Sequence, residues 1–138
     1  FGILKDMKTM EDCADKLCKN ARTATAILFG CGVGNSDEAY RLLCALIDST
    51  SCPIVIDADG INSLAPHINE LKDNTGRLIL TPHIKEFSRL SGLDTDYILR
   101  HKLSCAKDFA VKYGVHVLLK DAYSVYASPD GFTAVMRL

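Results

Sequence analysis

An α/β fold with a mostly parallel sheet covered on both faces is predicted by two patterns in this sequence. Short apolar strands alternate with amphipathic helices between residues 24 and 120, the order from which parallel sheets are built. Two of those strands also run directly into polar groups. Ile54-Val55-Ile56 leads into Asp57-Ala58-Asp59-Gly60-Ile61-Asn62, and the strand ending at Leu80 leads into Thr81-Pro82-His83-Ile84-Lys85-Glu86. Open α/β sheets bind ligands at the carboxyl ends of their strands. Adjacent ends carrying an Asp pair, an Asn, a His and a Glu therefore predict an active-site cleft.

Each element has its own signal. Residues 5 to 22 read as a helix with Met10, Ala14, Leu17 and Cys18 toward the core. Ala24 to Phe29 reads as a buried strand running into Gly30-Cys31-Gly32-Val33-Gly34-Asn35-Ser36, where alternate glycines let the backbone turn and approach a ligand. Ser36 or Asn35 caps the next helix, with Asp37 and Glu38 favourable in its first turn. Its apolar stripe is Ala39, Leu42, Leu43, Leu46 and Ile47. Pro53 precedes the second strand, Ile54 to Ile56, and a shorter helix is expected over Ser63 to Leu71, ending before Asp73-Asn74-Thr75-Gly76. Arg77 to Leu80 is the third strand. A helix over Lys85 to Leu90 stops at Gly92, and the longest helix spans Asp96 to Tyr113, with Gly114 as its stop. Its expected stripe is Leu99, Leu103, Ala106, Ala110 and Tyr113. Val115 to Lys120 is a fourth strand, and Tyr123 to Ala127 and Phe132 to Arg137 flank the hairpin turn Ser128-Pro129-Asp130-Gly131.

Composition narrows the class. With 138 residues, 48% of them apolar and 24% charged, the chain suits one domain with a real core. Both ends look cut, so the expectation is a single, partial domain over residues 1–138. A net charge of -1 does not suggest a nucleic-acid or anionic-membrane partner. No apolar run approaches the roughly 20 residues that span a bilayer, and no secretory leader pattern opens the chain. The six cysteines form no C-x-x-C pair, so free, mostly buried thiols in a reducing cytoplasm are expected.

The candidate residues each have an unremarkable alternative. Gly30-x-Gly32-x-Gly34 lacks dinucleotide-fingerprint spacing; it is either a structural turn or one that offers N–H groups to an anion. Asp57 and Asp59 point the same way if the strand persists, where they would hold a metal or divide acid and base work; otherwise one caps a helix and the other makes a turn. His83 and Glu86 share a helix face three residues apart, His83 as donor or acid/base and Glu86 as a metal or water organiser, against a cap or surface role. Arg89 either faces phosphate or lies on a solvated face. Lys120-Asp121-Ala122-Tyr123-Ser124 ends the fourth strand in a loop able to hold a nucleotide by its N–H groups. His67, His101 and His116 carry no assignment.

In this order the segments resemble the ATP/ADP-dependent NAD(P)H-hydrate dehydratases, a branch of the ribokinase-like superfamily. That family has a glycine turn of GPGLG type, then DADALN or DADG, then TPH-x-x-E with a Phe-Ser-Arg-Leu-like run, then a helix ending in YGV, a strand, and KGA-x-T. Here these stand as Gly30 to Gly34, Asp57 to Asn62, Thr81 to Leu90, Tyr113 to Val115, and Lys120 to Ser124, collinear over residues 24 to 135. The resemblance implies a three-layer αβα ribokinase-like fold with an antiparallel hairpin near the C-terminal end. It implies a lyase that dehydrates hydrated NADH or NADPH, with ATP or ADP as co-substrate and Mg²⁺ bridging the phosphates. Gly34, Asp57, Asn62, His83, Glu86 and Arg89 fall on the substrate side, Glu86 also reaching metal through water. Lys120, Asp121, Ala122, Tyr123 and Ser124 fall on the nucleotide side.

Two residues depart from the pattern: Asp121 stands for Gly in the nucleotide loop, and Cys31 for Pro in the glycine turn. The family's Gly-Gly-x-Gly-Asp segment, with the expected catalytic base, would lie beyond Leu138. Oligomeric state stays open, with a homo-oligomer and a fused or separate epimerase as candidate partners. The alternatives are a kinase for a small alcohol such as a vitamin precursor, and a non-catalytic nucleotide-binding fragment. A plain nicotinamide oxidoreductase is disfavoured by the glycine spacing.

Overall fold

Four short parallel strands, β1 (Ile27–Phe29), β2 (Ile54–Ile56), β3 (Leu78–Leu80) and β4 (His116–Leu119), lie side by side. β5 (Ser124–Ala127) and β6 (Thr133–Met136) continue the sheet antiparallel. Order across the six-stranded sheet is order along the chain. The computed structural model describes residues 10–30, 32–34, 36–71 and 76–137, backbone only over 10–14. Its helices are α1 (Met10–Ala21), α2 (Asp37–Ser49), α3 (Asp59–Leu64) with a 3₁₀ continuation (Ala65–Glu70), α4 (Ile84–Ser91), α5 (Thr95–Arg100) and α6 (Lys102–Tyr113). The expected helix start at 5–9, the inward placing of Met10 and Ala14, the Cys13 side chain, and Cys31, Asn35 and residues 73–75 lie outside what is described. The thiols of Cys18, Cys44, Cys52 and Cys105 are free, Cys105 alone among them buried.

Alternation along the strands sets the register. Ile54, Ile56, Leu78, Leu80, Val117, Leu119, Val125 and Ala127 are buried, and pairing aligns Ile54 with Leu78 and Ile56 with Leu80 on one face. A one-residue slip would carry that whole set to the opposite face. β1 is shorter than Ala24 to Phe29 and is not buried throughout: Phe29 is inside, whereas Leu28 is 66% exposed. The reason is position, because β1 pairs with β2 alone and forms an edge among the described strands.

Two helix expectations change. The helix expected over Ser63 to Leu71 starts at Asp59 and passes into 3₁₀ geometry at Ala65-Pro66. Pro66 has no N–H to continue the α ladder. The helix expected from Asp96 to Tyr113 is two helices, broken at His101, whose φ of -134 and ψ of 38 are not helical. Its buried stripe is Ile98, Lys102, Cys105, Ala106, Phe109, Ala110 and Tyr113. Leu99 and Leu103 are exposed instead, one position out of phase with the core. Phe109 meets fully buried Phe87 of α4 edge-on, centroids 5.3 Å apart.

Candidate active site

Because β1 to β4 are parallel, their carboxyl ends share one rim of the sheet. The chain leaves that rim at Gly30, Asp57, Thr81 and Lys120. The turns after β1 and β2 press together. A Cβ on Gly30 would lie 1.8 Å from the Asp57 carbonyl oxygen, and one on Gly60 would lie 2.9 Å from the Gly30 Cα. Two glycines are what permit this backbone-on-backbone approach, and Gly30 also has φ 125. Between Asp57 and α3, Ala58 adopts φ 50 and ψ -123, a conformation that L residues rarely take. Strain of this kind concentrates where a turn must aim a side chain.

Asp57 sits at the centre of the rim. Its Oδ1 accepts from the Lys120 Nζ at 3.1 Å. The Thr81 hydroxyl lies within reach of both the Asp57 carboxylate and the Ile56 carbonyl, 3.3 Å away. Burial pushes the Asp57 carboxyl up. Hydrogen bonds from Lys120, Thr81 and the Ala58 N–H, with the Lys120 charge, outweigh it and hold the group below its usual 3.8. Asp59 is not its strand partner: it is the first residue of α3, so the two carboxylates do not line one strand face.

His83 is the N-cap of α4. Its Nδ1 accepts from the Glu86 N–H at 3.2 Å, and the Glu86 Oε1 accepts from the His83 N–H at 3.0 Å. This reciprocal capping box satisfies two helix-end donors. Glu86 is buried by it, while the His83 side chain stays 52% exposed on the rim. His83 bridges Lys120 across the sheet, and the Lys120 N–H donates to the Pro82 carbonyl at 2.9 Å. One turn along α4, the Arg89 Nη1 donates to the Asn62 Oδ1 at 2.8 Å. The two line an open hollow of about 580 Å³ with Ala65 and Pro66.

The loop joining β4 to β5 is gripped from its far side. The Lys102 Nζ lies 2.6 Å from the Asp121 Oδ2 and 3.6 Å from the centroid of the Tyr123 ring. The Lys102 hydrogen bond and charge, with the Ala122 N–H, hold the Asp121 carboxyl below its usual range against slight burial. Ser124 opens β5 opposite Met136. Gly34, with φ 80, is anchored by its carbonyl, which accepts from the Ser63 Oγ at 3.2 Å. The Ser36 N–H donates to the same hydroxyl at 3.2 Å, and the Ser36 Oγ caps α2 at the Ala39 N–H.

Of the predicted residues, the fold joins Asp57 to Lys120, His83 to Glu86, and Asn62 to Arg89. It turns Asp121 and Tyr123 toward Lys102. Sequence reasoning missed Lys102, Ser63 and Ala58. Only Lys102 carried a signal, as a lysine on the true apolar stripe of its helix. Among the described residues no three His, Cys, Asp or Glu side chains are grouped to hold a metal ion.

The model of the NAD(P)H-hydrate dehydratase family matches residues 4–137. The chain belongs to this family. It is 38% identical over 122 residues to the bifunctional NAD(P)H-hydrate repair enzyme Nnr of Salinibacter ruber, covering 88% of this chain and 22% of that protein. It is 32% identical over 124 residues to the ADP-dependent (S)-NAD(P)H-hydrate dehydratase of Neisseria meningitidis, covering 88% and 42%. The chain thus spans less than half the length of these curated relatives. In fold it matches an ADP/ATP-dependent NAD(P)H-hydrate dehydratase of Bacillus subtilis co-crystallised with ATP/Mg²⁺, with TM-score 0.68, 24% identity and 86% and 43% coverage. A ribokinase-like superfamily protein from Enterococcus faecalis matches with TM-score 0.74, 21% identity and 91% and 43% coverage. The fold of this chain is thus ribokinase-like, as the resemblance implied.

Proposed function

We propose that this chain forms one wall of a cytoplasmic enzyme that dehydrates hydrated NADH or NADPH at the expense of ATP or ADP. The observation that carries the reading is the single rim: parallel strands bring Asp57, His83 and Lys120 together, with Lys120 bonded to Asp57 at 3.1 Å. In this reading the nucleotide's terminal phosphoryl group passes to the ring hydroxyl, its bond to the bridging oxygen breaking as the new P–O bond forms. The hydroxyl proton passes to the base expected on the family's Gly-Asp segment, or to water; phosphate then leaves with the ring oxygen while the neighbouring C–H gives its proton to such an acceptor, restoring the ring double bond. The hydroxyl is a poor leaving group and phosphate a good one, which is what the nucleotide supplies.

The chain's own residues bind and orient. Gly34, Asn62, His83 and Arg89 face the hydrated dinucleotide, and Lys120 to Ser124 hold the nucleotide. Asp57 keeps the Lys120 ammonium on the rim, and Glu86 fixes His83 through the capping box. Mg²⁺ would enter with the nucleotide and offset the charge of its phosphates, and Glu86 is the residue of this chain that would reach it through water. The test supplies NADH or NADPH hydrate with ATP or ADP and Mg²⁺. Return of the reduced-nicotinamide absorbance, dependent on nucleotide, is the expected result. Accumulation of a stable phosphate ester makes the protein a kinase, and nucleotide binding without turnover, even with the family's Gly-Gly-x-Gly-Asp segment in place, makes it a binding module.

A further inference from the structure

Lys102 sits where a lysine is doubly disfavoured. It is the first residue of α6, at the positive end of the helix dipole, and it is 7% exposed. A buried ammonium requires a partner. Lys102 has two, and both belong to the short loop between β4 and β5: the Asp121 carboxylate at 2.6 Å and the face of Tyr123 at 3.6 Å. Lys102 lies four residues after buried Ile98 and three before buried Cys105, on the inward stripe of α6. The same loop is held on its other side, where Lys120 reaches Asp57. The site therefore contains an acidic side chain where an anionic ligand is expected, and a buried cation from another element placed against it.

We propose that Lys102 is a positioning residue for nucleotide binding: by pairing with Asp121 and stacking on Tyr123 it sets the conformation of the Lys120–Ser124 loop and offsets the negative charge of Asp121. This rests on the reading of that loop as the nucleotide side of the site. The effect is electrostatic, so it has a signature that a purely structural contact lacks. Removing the cation alone leaves Asp121 to repel phosphate, whereas removing both charges relieves the repulsion.

The experiment measures ATP affinity at constant Mg²⁺ in the protein that carries the family's Gly-Gly-x-Gly-Asp segment, unaltered, as Lys102→Met, and as Lys102→Met with Asp121→Asn. Methionine keeps the stem's packing, and thermal unfolding checks that each variant is folded. Lys102→Met is expected to weaken binding about tenfold, the size of one partly screened charge interaction. The double variant is expected to return to within about threefold of the unaltered chain, and the penalty of the single variant to shrink at about 0.5 M salt, each compared at equal salt. A double variant as weak as Lys102→Met, or a penalty indifferent to salt, overturns the proposal and leaves Lys102 a structural residue. Unaltered affinity in Lys102→Met also overturns it. Absence of ATP binding by the unaltered protein with the family's Gly-Gly-x-Gly-Asp segment in place refutes the nucleotide reading of the loop, and this inference with it.

Discussion

At the scale of single residues, Asp57 and Lys120 show how one contact decides an ionisation state. Burial opposes the Asp57 carboxylate, and hydrogen bonds from three groups with the Lys120 charge reverse that. A carboxyl held low in the folded state contributes stability above its unfolded value, and loses it as pH falls through the folded one. Lys120→Met deletes the largest opposing interaction and leaves burial in place. Asp57 should then titrate at higher pH, followed by carboxyl NMR, and the acid-unfolding midpoint should move upward with it. The loss at neutral pH should be small, about 1 kcal/mol or less, because the pair is partly open to water and screened. An unchanged Asp57 titration would show that Thr81 and the Ala58 N–H suffice. Both candidate residues were legible in the sequence, since each ends an apolar strand. Their pairing was not, because they lie 63 positions apart and only the sheet register brings them together.

At the scale of elements, α4 shows why a residue can be legible and its role ambiguous. His83 serves as an N-cap and also presents half its side chain to the rim. Cap and ligand contact separate by substitution. His83→Ala removes the acceptor for the Glu86 N–H and should cost about 1 kcal/mol of stability, measured by urea unfolding. His83→Asn supplies a capping oxygen and should recover most of that loss, while binding of the hydrated dinucleotide stays weak and ATP affinity is unchanged. Recovery of both stability and dinucleotide binding by Asn would reduce His83 to its cap. The α5–α6 break was hidden for a different reason. Nothing at Leu99-Arg100-His101 marks a stop, and an apolar stripe drawn through it takes Leu99 and Leu103 in place of Ile98 and Lys102 because Lys102 is charged. That choice concealed the buried lysine, because a helix stripe read one residue late exchanges core for surface.

At the scale of the whole molecule, the alternation of strand and helix was enough to predict parallel strands and a common rim. Local patterns could not foresee contacts between connections that run past one another. One of these joins the N-terminal half of α2 to the 3₁₀ segment. His67 stacks on Tyr40 at 3.9 Å, lies 3.3 Å from the Glu70 Oε1 and 3.4 Å from the Asp37 Oδ1, and the Tyr40 hydroxyl donates to the Glu70 Oε2 at 2.6 Å. Glu70 first, and Asp37 second, raise the His67 imidazole above its usual 6.5 against slight desolvation. A histidine whose folded value is raised stabilises the fold fully below its unfolded value, and that contribution disappears as pH rises through the folded one. The two crossovers should therefore be held together more firmly in mild acid. Thermal unfolding from about pH 6 to about pH 8 should show the midpoint falling, and His67→Gln should flatten that slope by removing the titrating group. The Asp57 and Asp121 carboxylates stay ionised across this window, being held below their ordinary values, so they do not generate the same slope. A slope that survives in His67→Gln would place its origin elsewhere in the molecule and leave the α2–3₁₀ contact insensitive to protonation.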